Sequence, residues 1–492
     1  MLINFLKSNS KILIFILLSL LFALTIQQFT LYKGNAAHLI HSIKYFDDNK
    51  LQYDWIANQS HHLPLFVNFH YYLIKIFSNK IIHLIHFILL LMTPLFIFLI
   101  CKNLFLKLKD HNYYLIWFAS FVFIYHENTF FSGVAGQRVI DAGFQPASFA
   151  VLFFIGIYCY LIKKELLSIF FICLAASFHP TYIIHSGFFT SGILFFNLIK
   201  QDYKNFVKVL VSYTVLILPI TLFIIFNFLN IDKQIIIEGQ AILLDRVKHH
   251  ADIHHWLTGK DFISVFLFLT ALYFVRKYNR FFIFFIIFGL CSISITIIQF
   301  FLNNHSIALA FPWRTSVFII PISSMIIVSH LISKINFRVT KINSYILIFT
   351  LSVITFFYIK SHYIKNLNHK FNKDLILVNK IKNYYNLIDR LLIPSNLDYI
   401  RMNSGLPIFV DWKHHAFRYD EIIEWKKRIS MADHFYSQTS YDNQIIHLKK
   451  IETLENISHV LLEKSKLDDK CYNLIKDDIF ALVSVKQCYN EL

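Results

Sequence analysis

The stretch NTFFSGVAGQRVIDAGFQPASF, residues 128 to 149, lies between two strongly apolar runs and decides how the chain is interpreted. It contains three of the 11 glycines in the 492-residue chain and places Arg138 and Asp141 beside them. Irregular polar backbone is excluded from hydrocarbon unless it is buried in protein or lines a wet cavity, because each unpaired N–H or C=O group costs several kcal/mol. We therefore predict that this stretch forms part of a site. The alternative is an ordinary loop whose glycines serve turns and whose arginine lies at the lipid headgroups.

The composition is more apolar than that of a soluble domain of this length. Hydrophobic residues make up 56% of the chain and charged residues only 16%, which predicts a membrane protein. The net charge of +17 would suggest a nucleic-acid partner in a soluble protein. In a membrane protein, Lys and Arg instead set the orientation and meet anionic lipid. We therefore expect membrane lipid, and no nucleic acid, as a partner.

Long apolar runs predict eleven membrane spans. The run 166–199 would be about 51 Å long as one helix, which exceeds a bilayer of roughly 30 Å. His179-Pro180 is the point where we expect this run to fold into two spans. The eleven predicted spans are residues 11–32, 79–101, 113–126, 146–162, 166–182, 183–199, 208–229, 262–275, 281–300, 312–332 and 343–359.

The loops between these spans differ in their content of Lys and Arg. With the N-terminus in the cytoplasm, the inner loops carry 14 Lys and Arg in 38 residues, whereas the outer segments carry eight in 99. This difference agrees with the positive-inside rule. The long loops 30–62, 127–145 and 230–260 then lie on the outer face. The predicted fold is a mainly α polytopic transmembrane helix bundle in residues 1–359, followed by a small extracytoplasmic α/β domain in residues 360–492.

The polar C-terminal region carries both helical and strand patterns. Cys471 and Cys488 would lie in an oxidising compartment, where a disulfide can form, but the spacing leaves their pairing open. Apolar spacing and short buried runs predict two helices, Lys365 to Leu392 and Glu421 to Tyr436, and three strands, Ile408 to Val410, His459 to Leu462 and Phe480 to Val485.

Three carboxylates cluster in the first outer loop, close to the membrane. Asp47, Asp48 and Asp54 are candidates for a general base towards an acceptor hydroxyl, or for ligands of a divalent cation with histidine beside them. We rank Asp54 first because the aromatic rings of Tyr53 and Trp55 would hold it at the membrane edge. The alternative is a solvated loop anchored at the interface by these aromatic residues.

The loop 230–260 holds four histidines in seven residues. The spacing H-H-x-x-x-H-H is no standard zinc pattern, so a metal site stays open. A headgroup phosphate or pyrophosphate facing Arg246, Lys248 and the protonatable histidines explains this composition better, because guanidinium forms bidentate bonds to phosphate oxygens. At the end of another predicted helix, His179 is equally compatible with a buried histidine and with a ligand contact.

An arginine also stands at the start of the span 312–332, in the segment FPWRTS. Arg314 would cost about 2.5–3.5 kcal/mol at the centre of a bilayer and less near its edge, so it is expected to snorkel or to meet an anion. Together with Arg138 and Arg246 it forms a set on the outer face that can surround a lipid-linked phosphate. The interfacial alternative, without any ligand, remains open for each of the three.

The spans, outer loops and C-terminal region together resemble the GT-C class of integral membrane glycosyltransferases. More closely, the chain resembles an uncharacterised group of bacterial multi-pass membrane proteins, on the segments SGVAGQRVIDAGFQPASFA, ASFHPTY, FPWRTS and RMNSGLPIFVDWKHHAFRYDEIIEWKKRI. The last segment is the most specific, and its matching residues are Arg401, Asp411, Trp412, Lys413, Glu424, Trp425 and Arg428.

The GT-C resemblance implies that an aspartate of the first outer loop is the base, and here only Asp54 or the Asp47-Asp48 pair fits. The paired acidic motif of the protein mannosyltransferases is not clearly present, so the base and a metal requirement stay open. No cofactor other than a divalent cation is expected. The catalytic candidates are Asp54, Asp48 and Asp47, and the candidates for binding substrate or phosphate are Arg138, Asp141, His179, Arg246, His249, His250 and Arg314.

The GT-C resemblance, together with these features, implies a glycosyltransferase of the bacterial inner membrane, with a cytoplasmic N-terminus. It would move a sugar from a polyprenyl-phosphate carrier to a glycan, lipid or protein acceptor outside the cytoplasm, in cell-envelope glycan synthesis. The alternative is a non-catalytic transporter or flippase of a lipid-linked or anionic solute, which would use the same arginines. A polymerase or ligase of surface polysaccharide would differ from the first only in its acceptor.

Overall fold

The computed structural model describes residues 15–27, 37–46, 49–105, 108, 112–334, 373–468, 471–475 and 477–489. Within these ranges the chain is mainly helical, and a three-stranded sheet lies near its C-terminal end. The predicted span 343–359 and the carboxylates of Asp47 and Asp48 lie outside the described residues.

Apolar helices make up most of the N-terminal two thirds of the chain. Five described helices are long and apolar enough to cross a membrane, namely Lys80–Leu104, Tyr182–Ile199, Tyr203–Leu229, Asn279–Leu302 and His305–Lys334. Shorter apolar helices are Phe15–Ile26, Tyr113–His126, Pro146–Leu161 and Glu165–Phe178. The chain is therefore a multi-pass membrane protein, and the count of eleven spans stays a prediction.

Helices that the hydropathy pattern did not assign occur in two places. The helix Pro64–Phe77 follows the first predicted outer loop, and Lys233–Arg246 lies inside the predicted loop 230–260. The other described helices of ten or more residues are Gly259–Val275, Lys373–Lys382, Tyr419–Ser437 and Tyr441–Glu452.

The predicted break in the run 166–199 is confirmed. The helix Glu165–Phe178 ends at His179, whose extended backbone (φ −142°, ψ 97°) is the conformation that a following proline favours. The next helix, Tyr182–Ile199, packs closely on Asn279–Leu302. Gly192 permits this approach, because a Cβ atom there would lie 2.8 Å from the carbonyl oxygen of Phe284.

The C-terminal region is built around a short sheet with the order β1-β2-β3. Strand β1 (Leu391–Leu392) runs parallel to β2 (His459–Glu463), and β2 runs antiparallel to β3 (Phe480–Ser484). The last two strands agree with the predicted ones. A disulfide joins Cys471 and Cys488, as the oxidising-compartment argument allowed.

Two predictions for this region were wrong in part. The predicted helix Lys365 to Leu392 is a helix only over Lys373–Lys382 in its described part, and Leu391–Leu392 form β1 instead. Both leucines are completely buried, so pairing with β2 overrides the local helical spacing. The predicted strand Ile408 to Val410 is buried as expected, but it contributes a single bridge from Ile408 to Leu391.

The C-terminal region packs against two parts of the preceding chain. Its apolar core includes contacts to Trp55 of the first loop and to Ile242 of the helix Lys233–Arg246. On the same helix, Gly239 lies so close to Tyr419 that an added Cβ atom would be 2.6 Å from the Cβ of the tyrosine. The helix Lys233–Arg246 therefore joins the helical bundle to the C-terminal region.

Candidate functional site

The glycine-bearing stretch after residue 128 is ordered by the last described helix of the bundle, Ser316–Lys334. The backbone N–H of Val134 donates to Ser316 Oγ over 2.9 Å. An added Cβ atom at Gly133 would lie 2.6 Å from the backbone nitrogen of Val317, so glycine alone permits this contact. Gly136 adopts φ +66°, which an L side chain rarely tolerates. The irregular backbone is thus held in protein, as the sequence predicted.

Two arginines of the predicted set line one cavity of about 440 Å³, here called the arginine cavity. Arg138 donates from Nε to Ser132 Oγ over 3.0 Å and from Nη2 to Asn128. The remaining lining residues of the arginine cavity are Asn128, Gly136, Gln137, Asp141, Gln145, Ala147, Tyr182, His250, Arg314 and Val317.

Arg314 is oriented by neutral partners. Its Nε donates to Gln137 Oε1 over 2.7 Å, and its Nη1 donates to Thr181 Oγ1 over 3.0 Å. In the described part of the chain, neither Arg314 nor Arg138 forms an ion pair with a carboxylate. Asp141 lines the same cavity, is exposed, and accepts from the backbone N–H of Ala142 over 2.8 Å. The arginine cavity therefore presents two guanidinium groups whose charges are not neutralised by an ion pair.

A second cavity of about 210 Å³, here called the histidine cavity, adjoins the first. The two cavities share Gln145 and His250. The lining residues of the histidine cavity are His38, Ile40, His41, Ile56, Gln145, Arg246, Val247, His249, His250, Lys413, His414, His415 and Phe417.

Arg246 is held in place by the C-terminal region. Its Nε and Nη2 both donate to the carbonyl oxygen of Trp412, over 3.0 and 2.7 Å. This contact joins the helix Lys233–Arg246 to the segment that also supplies Lys413, His414 and His415. The histidine cavity therefore lies between the helical bundle and the C-terminal region.

Three imidazoles of the histidine cavity, those of His38, His250 and His415, are neutral near neutral pH. Burial, followed by the charges of His249 and Arg314, lowers the pKa of His250 to about 4. Burial, with added repulsion from Arg246 and Lys413, lowers the pKa of His415 to about 4. Burial, followed by repulsion from neighbouring histidines and Lys413, also lowers the pKa of His38, to about 3. The fixed positive charge of this cavity therefore comes from Arg246 and Lys413.

His179 lines neither cavity. It lies at the C-terminal end of the helix Glu165–Phe178, and its Nδ1 is 3.0 Å from Thr181 Oγ1. That hydroxyl also accepts from Arg314. His179 is therefore linked to the arginine cavity through one shared hydroxyl group.

Asp54 is completely buried and also lines neither cavity. Its Oδ1 accepts from the backbone N–H of Ala57 over 3.1 Å, and its Oδ2 accepts from Ile408 N–H over 2.9 Å and forms an ion pair with Arg401. Both carboxylate oxygens are thus engaged by donors, and the two donors to Oδ2 belong to the C-terminal region.

Arg401 extends this pairing to a second carboxylate. Its Nε lies 2.8 Å from Asp411 Oδ2, and His414 Nδ1 lies 2.9 Å from Asp411 Oδ1. Burial alone would raise the pKa of Asp411, but His414 and Arg401 outweigh it and hold the pKa well below its usual range. Asp54, Arg401, Asp411 and His414 form a buried row, here called the buried ion row, that ends at the histidine cavity.

The structure brings together most of the predicted binding residues and separates them from Asp54. Arg138, Asp141, His250 and Arg314 line the arginine cavity, whereas Arg246 and His249 line the histidine cavity together with His250. Among the described residues, no group of three or more His, Cys, Asp or Glu side chains is placed to hold a metal ion. The sequence analysis missed the lining residues His38, His41, Gln145, His414, His415 and Phe417. The His-His pair at 414–415, next to the basic Lys413, is the signal that would have found two of them.

Comparisons with known proteins bear on the fold of the chain. Residues 385–432 match a family described as "Domain of unknown function (DUF6798)". No curated protein matches the sequence. The fold is similar to that of the archaeal oligosaccharyltransferase AglB from Archaeoglobus fulgidus in complex with an inhibitory peptide and a dolichol-phosphate. The TM-score is 0.52 and the identity 11%, over 93% of this chain and 70% of that one.

The apo form of the Archaeoglobus fulgidus oligosaccharyltransferase matches in the same way, with a TM-score of 0.51 and 11% identity. This match covers 92% of this chain and 69% of that one. AglB has the fold of the GT-C glycosyltransferases. The chain has a GT-C-like fold. The predicted resemblance to the GT-C class is therefore confirmed at the level of fold.

Proposed function

We propose that this GT-C-like protein is a membrane glycosyltransferase that takes a sugar from a polyprenyl-phosphate carrier. The acceptor would be a glycan, lipid or protein outside the cytoplasm, in cell-envelope glycan synthesis. The observation that carries the proposal is the arginine cavity, where Arg138 and Arg314 have neutral partners only among the described residues. Arginine held next to a membrane without a carboxylate partner is well suited to an anionic group such as a phosphate.

An apolar groove beside the arginine cavity supports a lipid-linked donor. The groove has a volume of about 160 Å³ and is lined by residues of three helices and by Trp313, the neighbour of Arg314. Trp256, Phe268 and Ile293 are among the apolar side chains that face it. In our proposal the carrier phosphate meets the two arginines while the isoprenoid chain lies in this groove. One of the similar AglB structures contains dolichol-phosphate, a carrier of the same chemical class.

The transfer step uses charges that these residues can supply. The acceptor hydroxyl attacks the anomeric carbon, its proton passes to a carboxylate, and the bond to the phosphate oxygen breaks. Arg138 and Arg314 stabilise the negative charge that develops on the departing polyprenyl phosphate. Because Asp54 has both oxygens engaged, we assign it a positioning role and keep Asp47 and Asp48 as the proposed base. A divalent cation beside these two carboxylates stays a prediction.

The proposed topology places both cavities outside the cytoplasm of a bacterial inner membrane. It has eleven spans in residues 1–359, a cytoplasmic N-terminus, and residues 360–492 as an extracytoplasmic α/β domain. The Lys and Arg distribution supports this orientation. The disulfide between Cys471 and Cys488 also supports it, because such bonds persist in oxidising compartments.

Binding of a short-chain polyprenyl monophosphate to the purified full chain in detergent micelles tests the proposal. Replacing Arg138 or Arg314 with Gln should weaken binding about 10- to 100-fold, because a hydrogen bond to a charged group contributes about 1.5–3 kcal/mol. Arg276→Gln is the matched control, since Arg276 is exposed and lies over Tyr273, away from both cavities. Equal loss in all three variants would contradict the proposal. Donor binding without sugar transfer to any acceptor would favour the transporter alternative.

A further inference from the structure

The histidine cavity has the chemistry of a site for an acidic sugar. Arg246 and Lys413 supply positive charge, and none of its lining residues in the described chain carries a carboxylate. Phe417 adds an aromatic side chain to the lining, and the amide of Gln145 can donate to and accept from hydroxyl groups. A cation, an aromatic ring and an amide around one small cavity fit a carbohydrate that carries a carboxylate or phosphate.

One buried side chain of this cavity has an unused hydrogen-bonding atom. His414 is 3% exposed, and its Nδ1 is fixed by Asp411, whereas its Nε2 has no hydrogen-bond partner in the described structure. A buried polar atom without a partner destabilises the folded protein. A ligand hydroxyl that donated its proton to His414 Nε2 would remove this destabilisation. The Asp411 carboxylate also fixes which nitrogen of the ring carries its proton.

The position of the histidine cavity favours the acceptor, and not the lipid carrier, as its ligand. The arginine cavity is lined by residues of the helical bundle, up to Val317, and by none of the C-terminal region. The histidine cavity adds Lys413, His414, His415 and Phe417 from the C-terminal region. Because the two cavities share Gln145 and His250, a group in one is adjacent to a group in the other. A donor and an acceptor that react need this arrangement.

We infer that the histidine cavity binds the acidic group of the acceptor, a sugar that carries a carboxylate or a phosphate. This inference rests on the proposed function, because it names the acceptor class of that transferase. Arg246 and Lys413 hold the acidic group, and Phe417 packs on the sugar. His414 and Gln145 contact its hydroxyl groups, and His250 lies at the boundary with the donor.

Binding of soluble sugars to the purified full chain tests the inference. Glucuronate serves as the acidic probe and glucose as its neutral counterpart, with dissociation constants measured by ligand-observed NMR in detergent micelles. We expect glucuronate to bind at least tenfold more tightly than glucose. Lys413→Gln should weaken glucuronate binding about fivefold or more, since this exposed side chain lines the cavity and supplies one of its two fixed positive charges.

The matched control is Lys427→Gln, which removes the same charge from the same region at an exposed residue outside the cavity. It should leave glucuronate binding unchanged. Equal binding of glucuronate and glucose, or equal effects of Lys413→Gln and Lys427→Gln, would overturn the inference. A third outcome would also overturn the inference, namely that Lys413→Gln weakens the binding of polyprenyl diphosphate but not that of glucuronate. The cavity would then hold the second phosphate of a carrier.

The proposed function has a separate readout in the same samples. If Arg138→Gln and Arg314→Gln leave polyprenyl monophosphate binding intact, the donor assignment fails even when glucuronate binds as expected. If those two variants lose the monophosphate but glucuronate fails to bind, the acceptor inference fails and the donor assignment stands. The two failures are therefore distinguishable.

Discussion

The buried ion row and the arginine cavity both contain arginine, but the arginine side chain has a different role in each. In the row, Arg401 is almost fully buried and lies between Asp54 and Asp411. In the cavity, Arg138 and Arg314 are half-buried and bind neutral groups among the described residues. A neutralised arginine holds the protein together, whereas an arginine without a carboxylate partner is available for an anion. Compensation of charge, and not residue type, separates the structural role from the binding role here.

The largest expected effect comes from breaking the buried ion row. Arg401→Gln should destabilise the protein by about 3–5 kcal/mol, because it removes the guanidinium that lies between the buried carboxylates of Asp54 and Asp411. Thermal unfolding or protease resistance of the purified variant measures this loss. Asp54→Asn completes the comparison and should also lower stability. If Asp54→Asn abolished sugar transfer while leaving the unfolding midpoint unchanged, Asp54 would be the base and our positioning role for it would be wrong.

The arginine cavity should show the opposite pattern. Arg314→Gln should weaken polyprenyl monophosphate binding about 10- to 100-fold without lowering the unfolding midpoint in the absence of ligand. The reason is that no ion pair of the described structure is lost with Arg314. A stability loss as large as that of Arg401→Gln would show that Arg314 is structural. The contrast between the two arginines would then disappear.

Acidification should destabilise the protein through the histidine cavity. The pKa values of His250 and His415 are lowered from 6.5 to about 4, so the unfolded chain binds more protons than the folded one between these limits. Stability should therefore decrease as the pH falls below 6.5 and continue to decrease down to about pH 4. Unfolding midpoints at a series of pH values measure this slope. His415→Gln should make it shallower, and an unchanged slope would contradict the assignment.

The smallest effect is expected for an ion pair at the surface. Arg418 and Asp420 bond to each other with side chains that are 38% and 35% exposed. Arg418→Gln should change the free energy of unfolding by no more than about 1 kcal/mol, because such pairs gain little over solvation. Thermal unfolding of Arg418→Gln and Arg401→Gln compares an exposed ion pair with a buried one, so the difference between their stability losses measures the effect of burial. A loss comparable to that of Arg401→Gln would remove burial as the explanation.

Local sequence patterns predicted the helices and breaks that depend on neighbouring residues in the sequence. Hydropathy located the long apolar helices, and Pro180 located the break between two of them. The pattern failed at Leu391 and Leu392, which continue a helical spacing but form a strand with residues almost 70 positions further along. It also assigned no helix to Lys233–Arg246, because this segment is too polar to resemble a span.

The candidate site was likewise predictable only where its residues are close together in the sequence. Glycine and arginine between apolar runs indicated the arginine cavity, because irregular polar chain near a membrane has few other uses. The role of Asp54 was not accessible from its neighbours, since its ion-pair partner Arg401 lies 347 residues away. Likewise, the histidine cavity combines pairs of histidines from three distant parts of the chain. Long-range pairing of this kind leaves no local periodicity to detect.

The contact between the glycine-bearing stretch and the helix Ser316–Lys334 has a mechanical consequence. Arg138 belongs to that stretch, and Arg314 lies in the turn Pro312–Thr315 that leads into the helix. The bond from Val134 to Ser316 and the close approach at Gly133 therefore couple both arginines to the same helix. A tilt of this helix would displace both guanidinium groups together and preserve the distance between them. Binding of one phosphate by both arginines would then be retained if the tilt of the helix changed.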